Sequence, residues 1–191
     1  MKNKIDHIFT CAMELLRESG NQGFSMRKVS AKAGMSLSNL QYYFKTKELL
    51  LAGLLKGFLE CYTESFQEYD WSKGKHPKEN LNQLLLHIFN DEGFDDCGTI
   101  FKELWAIAER NPGVKLAMTE YYQELYRILF GMIEEIAPPK CREKSIHYSV
   151  SLLLPFIEGY CITRSVLPVS PDDLAEQFTE VITMILKQNG T

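Results

Sequence analysis

No stretch of this chain alternates apolar and polar residues over the length of a strand, and no segment repeats. A sheet is therefore not expected. Long apolar runs are missing too: none approaches the roughly 20 residues a bilayer-spanning helix needs. Met1-Lys2-Asn3-Lys4 is mildly basic, but Asp6, His7 and Glu14 bring charge into the next turns, so no secretory leader is expected. The reading is a cytoplasmic protein with no membrane partner. Histidine is scarce and scattered, at 7, 76, 87 and 147. His-Glu-x-x-His, Gly-x-Ser-x-Gly and a glycine-rich phosphate loop are all absent. No catalytic residue, cofactor or metal site is expected, and the chain is read as a non-enzyme. The five cysteines (11, 61, 97, 141 and 161) are odd in number, widely spaced and free of any Cys-x-x-Cys. That argues against a disulfide framework and a zinc site, and leaves structural thiols, with a redox role for Cys97 or Cys141 the lesser alternative.

What the chain has is apolar residues at helical spacing. With 191 residues, 45% of them hydrophobic and 24% charged, it can bury a sizeable core in one or two domains. Ile5, Ile8, Phe9, Ala12, Leu15 and Leu16 predict a helix over 4–19 that stops at Gly20. Thr46 opens a long helix striped by Leu51, Leu54, Leu55, Phe58, Tyr62 and Phe66. A loop at 71–77 comes next, then helices over about 78–90, 95–110, 114–136, 141–166 and 171–188. Asn111-Pro112-Gly113, Pro138-Pro139 and Ser170-Pro171-Asp172-Asp173 mark the breaks. The expected fold class is all-α with about nine helices: a three-helix head over 1–47 and a larger helical body over 48–191.

Charge divides the same way. Residues 1–50 hold eight of the 21 Lys and Arg (2, 4, 17, 27, 28, 32, 45, 47) and four of the 25 acids, a surplus of four positive charges. The remainder holds 13 bases and 21 acids, for −8. A basic head on an acidic body suits phosphate binding by the head alone.

The head contains the most informative stretch, Ser25 to Lys47. Ser25 can cap one short helix, on which Val29 and Ala33 share a face and which Gly34 ends. Ser36 or Ser38 can cap a second, turning Leu40 and Tyr43 inward and Leu37, Ser38, Gln41 and Tyr42 outward. Small or apolar residues around a turn glycine are what a helix-turn-helix requires, its second helix entering the DNA major groove. Any αα-corner of a helical protein is the plainer reading. Asn39 and Gln41 have the chemistry to pair with adenine edges, and Leu37 to meet a thymine methyl.

The stretch resembles the DNA-binding domain of the TetR family of bacterial transcriptional regulators. Ser25, Val29-Ser30, Ala33-Gly34-Met35-Ser36, Leu40, Tyr42, Phe44, Thr46-Lys47-Glu48 and Leu50 fall in register with that family's pattern. Ser38 stands where the family has Gly, Gln41 where it has the first Tyr, and Tyr43 where it has His. These departures bear on the bases read and leave the fold expectation alone. The resemblance implies Arg27, Leu37, Ser38, Asn39 and Gln41 near base edges, and Ser25, Tyr42, Tyr43 and Lys47 at phosphates. Tyr43 is equally well read as core, and Lys28 and Lys32 as a solvated face.

In the body, aromatic side chains at helical spacing read first as core. The resemblance adds a small-molecule effector among the middle helices, and Phe66, Phe89, Trp105, Tyr122, Tyr126 and Tyr160 are the candidates to touch it. Glu103 and Glu158 read as interhelical or solvated carboxylates before ligand contacts. The last two helices are apolar on more than one face at Leu152, Leu153, Phe156, Phe178, Val181, Ile182 and Ile185. In the family such a surplus forms a homodimer interface; a monomer with a thicker core is the alternative. Together these readings describe a repressor: a dimer on double-stranded DNA bearing a palindromic operator, released by a small effector. An activator or ligand-independent regulator stays open, as does a helical small-molecule-binding protein or enzyme that never meets DNA.

Overall fold

The computed structural model describes residues 2–68, 77–90 and 94–187, without the side chains of residues 2–3, 61–62, 64–68, 77 and 94–97. The expected loop at 71–77, the side chain of Phe66 and those of Cys61 and Cys97 lie outside the described part. Among the described residues every regular element is helical: α1 (Lys2–Gly23), α2 (Met26–Lys32), α3 (Leu37–Tyr43), α4 (Lys47–Glu68), α5 (Pro77–Phe89), α6 (Phe94–Ala108), α7 (Pro112–Ile136), α8 (Glu143–Thr163) and α9 (Pro171–Lys187). A 3-10 turn succeeds α8 at Arg164–Val166. The all-α expectation holds, and no described helix is long and apolar enough to cross a membrane.

Local chemistry sets the helix starts. The Ser25 hydroxyl accepts from the Lys28 amide at 3.3 Å, Ser36 from Asn39 at 3.2 Å, and Thr46 from Leu49 at 3.3 Å. Asn111 Oδ1 accepts from the Gly113 and Val114 amides and starts α7. Ser170 accepts from the Asp173 amide while its hydroxyl donates to the Asp173 carboxylate, a reciprocal cap for α9. Gly34 takes φ +65° in the turn between α2 and α3. α1 does not simply stop at Gly20: it breaks there, at φ +56° and ψ −165°, and makes one further turn to Gly23.

Contacts divide the chain into two compact units. The first comprises residues 1–62 and 99–123, the second 63–98 and 124–191. Within the first unit α4 supplies Leu50, Leu51, Leu54 and Leu55 to the core, and the 99–123 segment supplies Ile100, Leu104, Val114 and Met118, all buried. Ile8, Leu16, Val29 and Leu40 complete that core. α4 meets its neighbours through notches: a Cβ on Gly53 would lie 2.7 Å from Phe44, and one on Gly57 3.3 Å from Phe9.

In the second unit α9 packs along α5 and against α8. Leu81, Leu84, Leu85, Val150, Leu153, Ala175 and Ile182 form its centre, each at most 1% exposed. Lys78 and Glu180 join α5 to α9 as an ion pair. Cys11 is buried, and Cys141 and Cys161 are half-buried, none of the three in a disulfide. Burial pushes the Cys141 thiol above its ordinary pKa.

Candidate DNA-binding site

α3 is anchored by one residue. Leu40 is fully buried, while Ser38, Asn39, Gln41 and Tyr42 around it are exposed, Tyr42 to 79%. Leu37 and Tyr43 are half-buried. Tyr43 thus serves neither reading alone: its ring meets Tyr42 edge-on at 5.3 Å, which holds both rings at the end of the helix. Ser36 and Ser38 share a hydrogen bond at 3.0 Å, fixing the serine pair at the front of α3. On α2, Arg27 and Lys28 are exposed beside Ser25, whereas Val29 and Ser30 face inward. Ser25, Arg27, Ser38, Asn39, Gln41 and Tyr42 are thus all exposed residues on or next to the α2–α3 pair.

Two cations of the head are already engaged. Lys32 reaches back to α1, to Glu18 at 3.0 Å and Glu14 at 3.1 Å, and these partners hold its ammonium above the ordinary lysine range. It is neither free field nor plain solvated surface. Lys47 donates to Asn21 Oδ1 at 2.9 Å and to the Phe24 carbonyl at 3.4 Å, and its ammonium lies 5.0 Å above the Phe24 ring. Burial lowers its pKa, against the raising effect of Glu48. Two of the three Lys47 donors thus brace the head from within, leaving one for a phosphate.

Two contacts of this unit escape sequence reasoning. Glu103 Oε2 accepts from the Asn21 backbone amide at 2.8 Å, and Asn111 Nδ2 donates to Glu48 Oε1 at 2.9 Å. Asn111 before Pro112 is legible as a cap. Asn21 and Glu103 stand 82 residues apart, and neither carries a local signal of the other.

The six aromatic candidates divide. Trp105, 44% exposed, stacks on Tyr122 at 5.5 Å and donates its indole N–H to the Tyr122 hydroxyl at 3.2 Å. In the second unit Phe89 and Tyr160 pack on each other at 4.2 Å, 2% and 4% exposed, as core side chains do. Tyr126 is hydrogen-bonded to His147 Nδ1 at 2.7 Å. Phe66 is outside the described side chains. A cavity of about 320 Å³ in the second unit is lined by Lys78, Glu79, Leu81, Pro138, Thr183, Leu186 and Lys187, none of the six.

The expected interface residues divide as well. Leu153 and Ile182 are 0% exposed and belong to the core of their own chain, so they have no surface to give a partner. Leu152 and Val181 are exposed, at 47% and 42%, and Tyr148 and Met184 join them at 53% and 57%. Phe156 and Phe178 stack face to face at 3.8 Å and remain half-buried, as does Ile185.

Comparison with known proteins bears on the whole arrangement. Residues 8–54, from α1 into α4, match the bacterial regulatory proteins of the tetR family. An uncharacterized HTH-type transcriptional regulator in the dhlA 5′ region of Xanthobacter autotrophicus is 37% identical over 94% of this chain and 88% of its own length. The nucleoid occlusion factor SlmA of Shewanella frigidimarina is 26% identical over 97% of this chain and 94% of its own. Among solved structures, a TetR-family regulator from Rhodococcus sp. superimposes with a TM-score of 0.77 at 16% identity, covering 98% of this chain and 100% of that one. FadR of Bacillus subtilis, solved with stearoyl-CoA, gives 0.73 at 20% identity, covering 93% and 97%. The structural likenesses speak for the fold alone. The 37% relative spans nearly the whole chain, and the family match falls on the helices that present Arg27, Asn39 and Gln41. By that concurrence the chain is a member of the TetR family of bacterial transcriptional regulators.

Proposed function

We propose that this regulator is a cytoplasmic, homodimeric repressor that grips a palindromic operator and is released by a small apolar or amphipathic effector. The observation that carries the reading is the face of α3: Leu40 buried at its back, with Ser38, Asn39, Gln41 and Tyr42 exposed at its front. Asn39 and Gln41 read adenine edges, Leu37 and Ser38 supply apolar and hydroxyl contacts, and Arg27 approaches from α2. Ser25, Tyr42 and Tyr43 position the head on phosphates, and Lys47 contributes there only through its remaining donor.

Dimerisation is the natural use of the apolar surface of α8 and α9. Leu152, Val181, Tyr148 and Met184 are exposed apolar side chains on these helices, with Phe156, Phe178 and Ile185 half-buried. Pairing this face with its copy sets two reading helices in successive major grooves, about 34–36 Å apart or a multiple of it. The effector meets aromatic side chains of the helices beyond the head, Trp105 and Tyr122 foremost, since Phe89 and Tyr160 already fill each other's space. It acts by its differential affinity for the bound and released spacings.

Selection of bound sequences from a random duplex pool at near-physiological salt tests the reading. One palindrome with fixed half-site spacing is the expected product. A folded protein that enriches nothing over the starting pool would sink it.

A further inference from the structure

Gly20 leaves helical geometry, at φ +56° and ψ −165°. The next amide, that of Asn21, is thereby released from the helical ladder of α1 and needs an acceptor from elsewhere. Glu103, on α6, supplies one, its Oε2 accepting at 2.8 Å. The carboxylate lies so close that a Cβ on Gly20 would stand 3.0 and 3.1 Å from its two oxygens and 3.2 Å from its carbon. Glycine is thus favoured there by the positive φ, and a Cβ would oblige the Glu103 carboxylate to shift by a few tenths of an ångström.

Asn21 is also a junction. Its side-chain oxygen accepts from Lys47 at the start of α4, and the same ammonium donates to the Phe24 carbonyl, immediately before the Ser25 cap of α2. The Lys47 ammonium therefore ties the start of α4 to Asn21 at the end of α1 and to Phe24 before α2, and α6 holds Asn21 by a charge-assisted bond. α2 carries α3 through their shared turn, where the Met35 amide donates to the Ser30 carbonyl at 2.9 Å.

We infer that Glu103 is a positioning residue for DNA recognition: through Asn21 it fixes the α2–α3 pair on α6 and so fixes the half-site spacing the dimer accepts. This rests on the reading of the chain as a dimeric operator binder. Glu103 touches no base, so its loss alters which spacing is tolerated and leaves the bases chosen within each half-site as they were.

The test compares the full-length protein with Glu103→Ala and Glu103→Gln in two measurements. In the first, each binds operators whose half-sites are one base pair closer or further apart than the selected optimum. Glu103→Ala is expected to bind these within about tenfold of the optimum, a change of the size of an ordinary coupling between sites, while wild type rejects them. Glu103→Gln, which keeps an acceptor oxygen, restores part of the discrimination. In the second, hydrogen exchange without DNA is expected to rise at residues 20–25 in Glu103→Ala, with the melting transition still cooperative. Unchanged exchange, or an unchanged spacing profile, overturns the inference, as does a loss of base preference without a change in spacing. Wild type that binds no duplex would overturn the operator reading instead, and the exchange result would still decide whether Glu103 holds Asn21.

Discussion

The side chain of Asn111 works from both ends, its amide nitrogen donating to Glu48 at 2.9 Å while its oxygen caps α7 through the Gly113 and Val114 amides. Glu48 also accepts from its own backbone amide, the largest influence, and from Thr46, and the three bonds hold its carboxyl below the usual range. Stability from this lowered pKa is fully present above the unfolded value of 4.5 and is lost as pH falls through the folded one. Asn111→Ala is expected to cost about 1 kcal/mol at neutral pH through the lost cap, and to flatten part of the decline below pH 4.5. Urea midpoints from pH 7 to pH 3 check both; equal declines in the two proteins would detach Asn111 from the Glu48 titration.

Gln41→Ala is expected to relax base preference by about 1–3 kcal/mol at one position of each half-site. Arg27→Ala is expected to weaken binding and, to the extent that Arg27 neutralises phosphate, to lower the slope of log K against log salt by about 0.9 for each head. Titration of the selected operator and its single-base variants at several salt concentrations separates the two. An operator profile unchanged by Gln41→Ala would remove Gln41 from the reading face.

Lys47→Ala should lower the melting temperature as well as operator affinity, because the ammonium ties Asn21 and Phe24 together. Lys32→Ala should change affinity little, since Glu14 and Glu18 already occupy its charge. Thermal melts paired with operator titrations distinguish them. A Lys47→Ala protein as stable as wild type but weak on DNA would return Lys47 to a purely phosphate role.

Gly53→Ala places a methyl 2.7 Å from Phe44, and overpacking there is expected to cost about 1–3 kcal/mol. Gly34→Ala meets no atom within 4 Å, so its cost of about 1–2 kcal/mol comes from φ +65° alone. Denaturant midpoints measure both. Their combination with Phe44→Leu discriminates further: it should relieve the first substitution and leave the second untouched.

Leu152→Glu with Val181→Glu should leave the fold intact, both positions being exposed, and abolish dimerisation and operator binding together. Leu153→Glu should instead unfold the second unit, since that side chain is wholly buried. Sedimentation and circular dichroism read the contrast; a dimer surviving the paired substitution would relocate the interface.

Much of the fold is legible in the sequence, because helices announce themselves locally. Ser25, Ser36 and Ser170 sit where amides need acceptors, and Gly34 where only a positive φ turns the chain. Apolar spacing identifies the buried face of each helix, but spacing says nothing of what lies opposite. Leu153 and Ile182 stand next to Leu152 and Val181 on helices apolar on more than one face, and only the packed structure separates core from surface. Lys47 presents the same difficulty: a cation in a DNA-binding motif is read toward phosphate until Asn21 is found beside it. Glu103 and Asn21 are distant in sequence, and no periodicity connects them.

The pairing of Lys32 with Glu14 and Glu18 has a consequence for the search of a genome. Each cation occupied within the head is one fewer free to displace counterions from arbitrary duplex, the interaction that holds a protein on unrelated sequence. The head is thus less adhesive than its composition implies. Time on non-target sites is expected to shorten, leaving a larger share of residence on any one site to the side chains of α3.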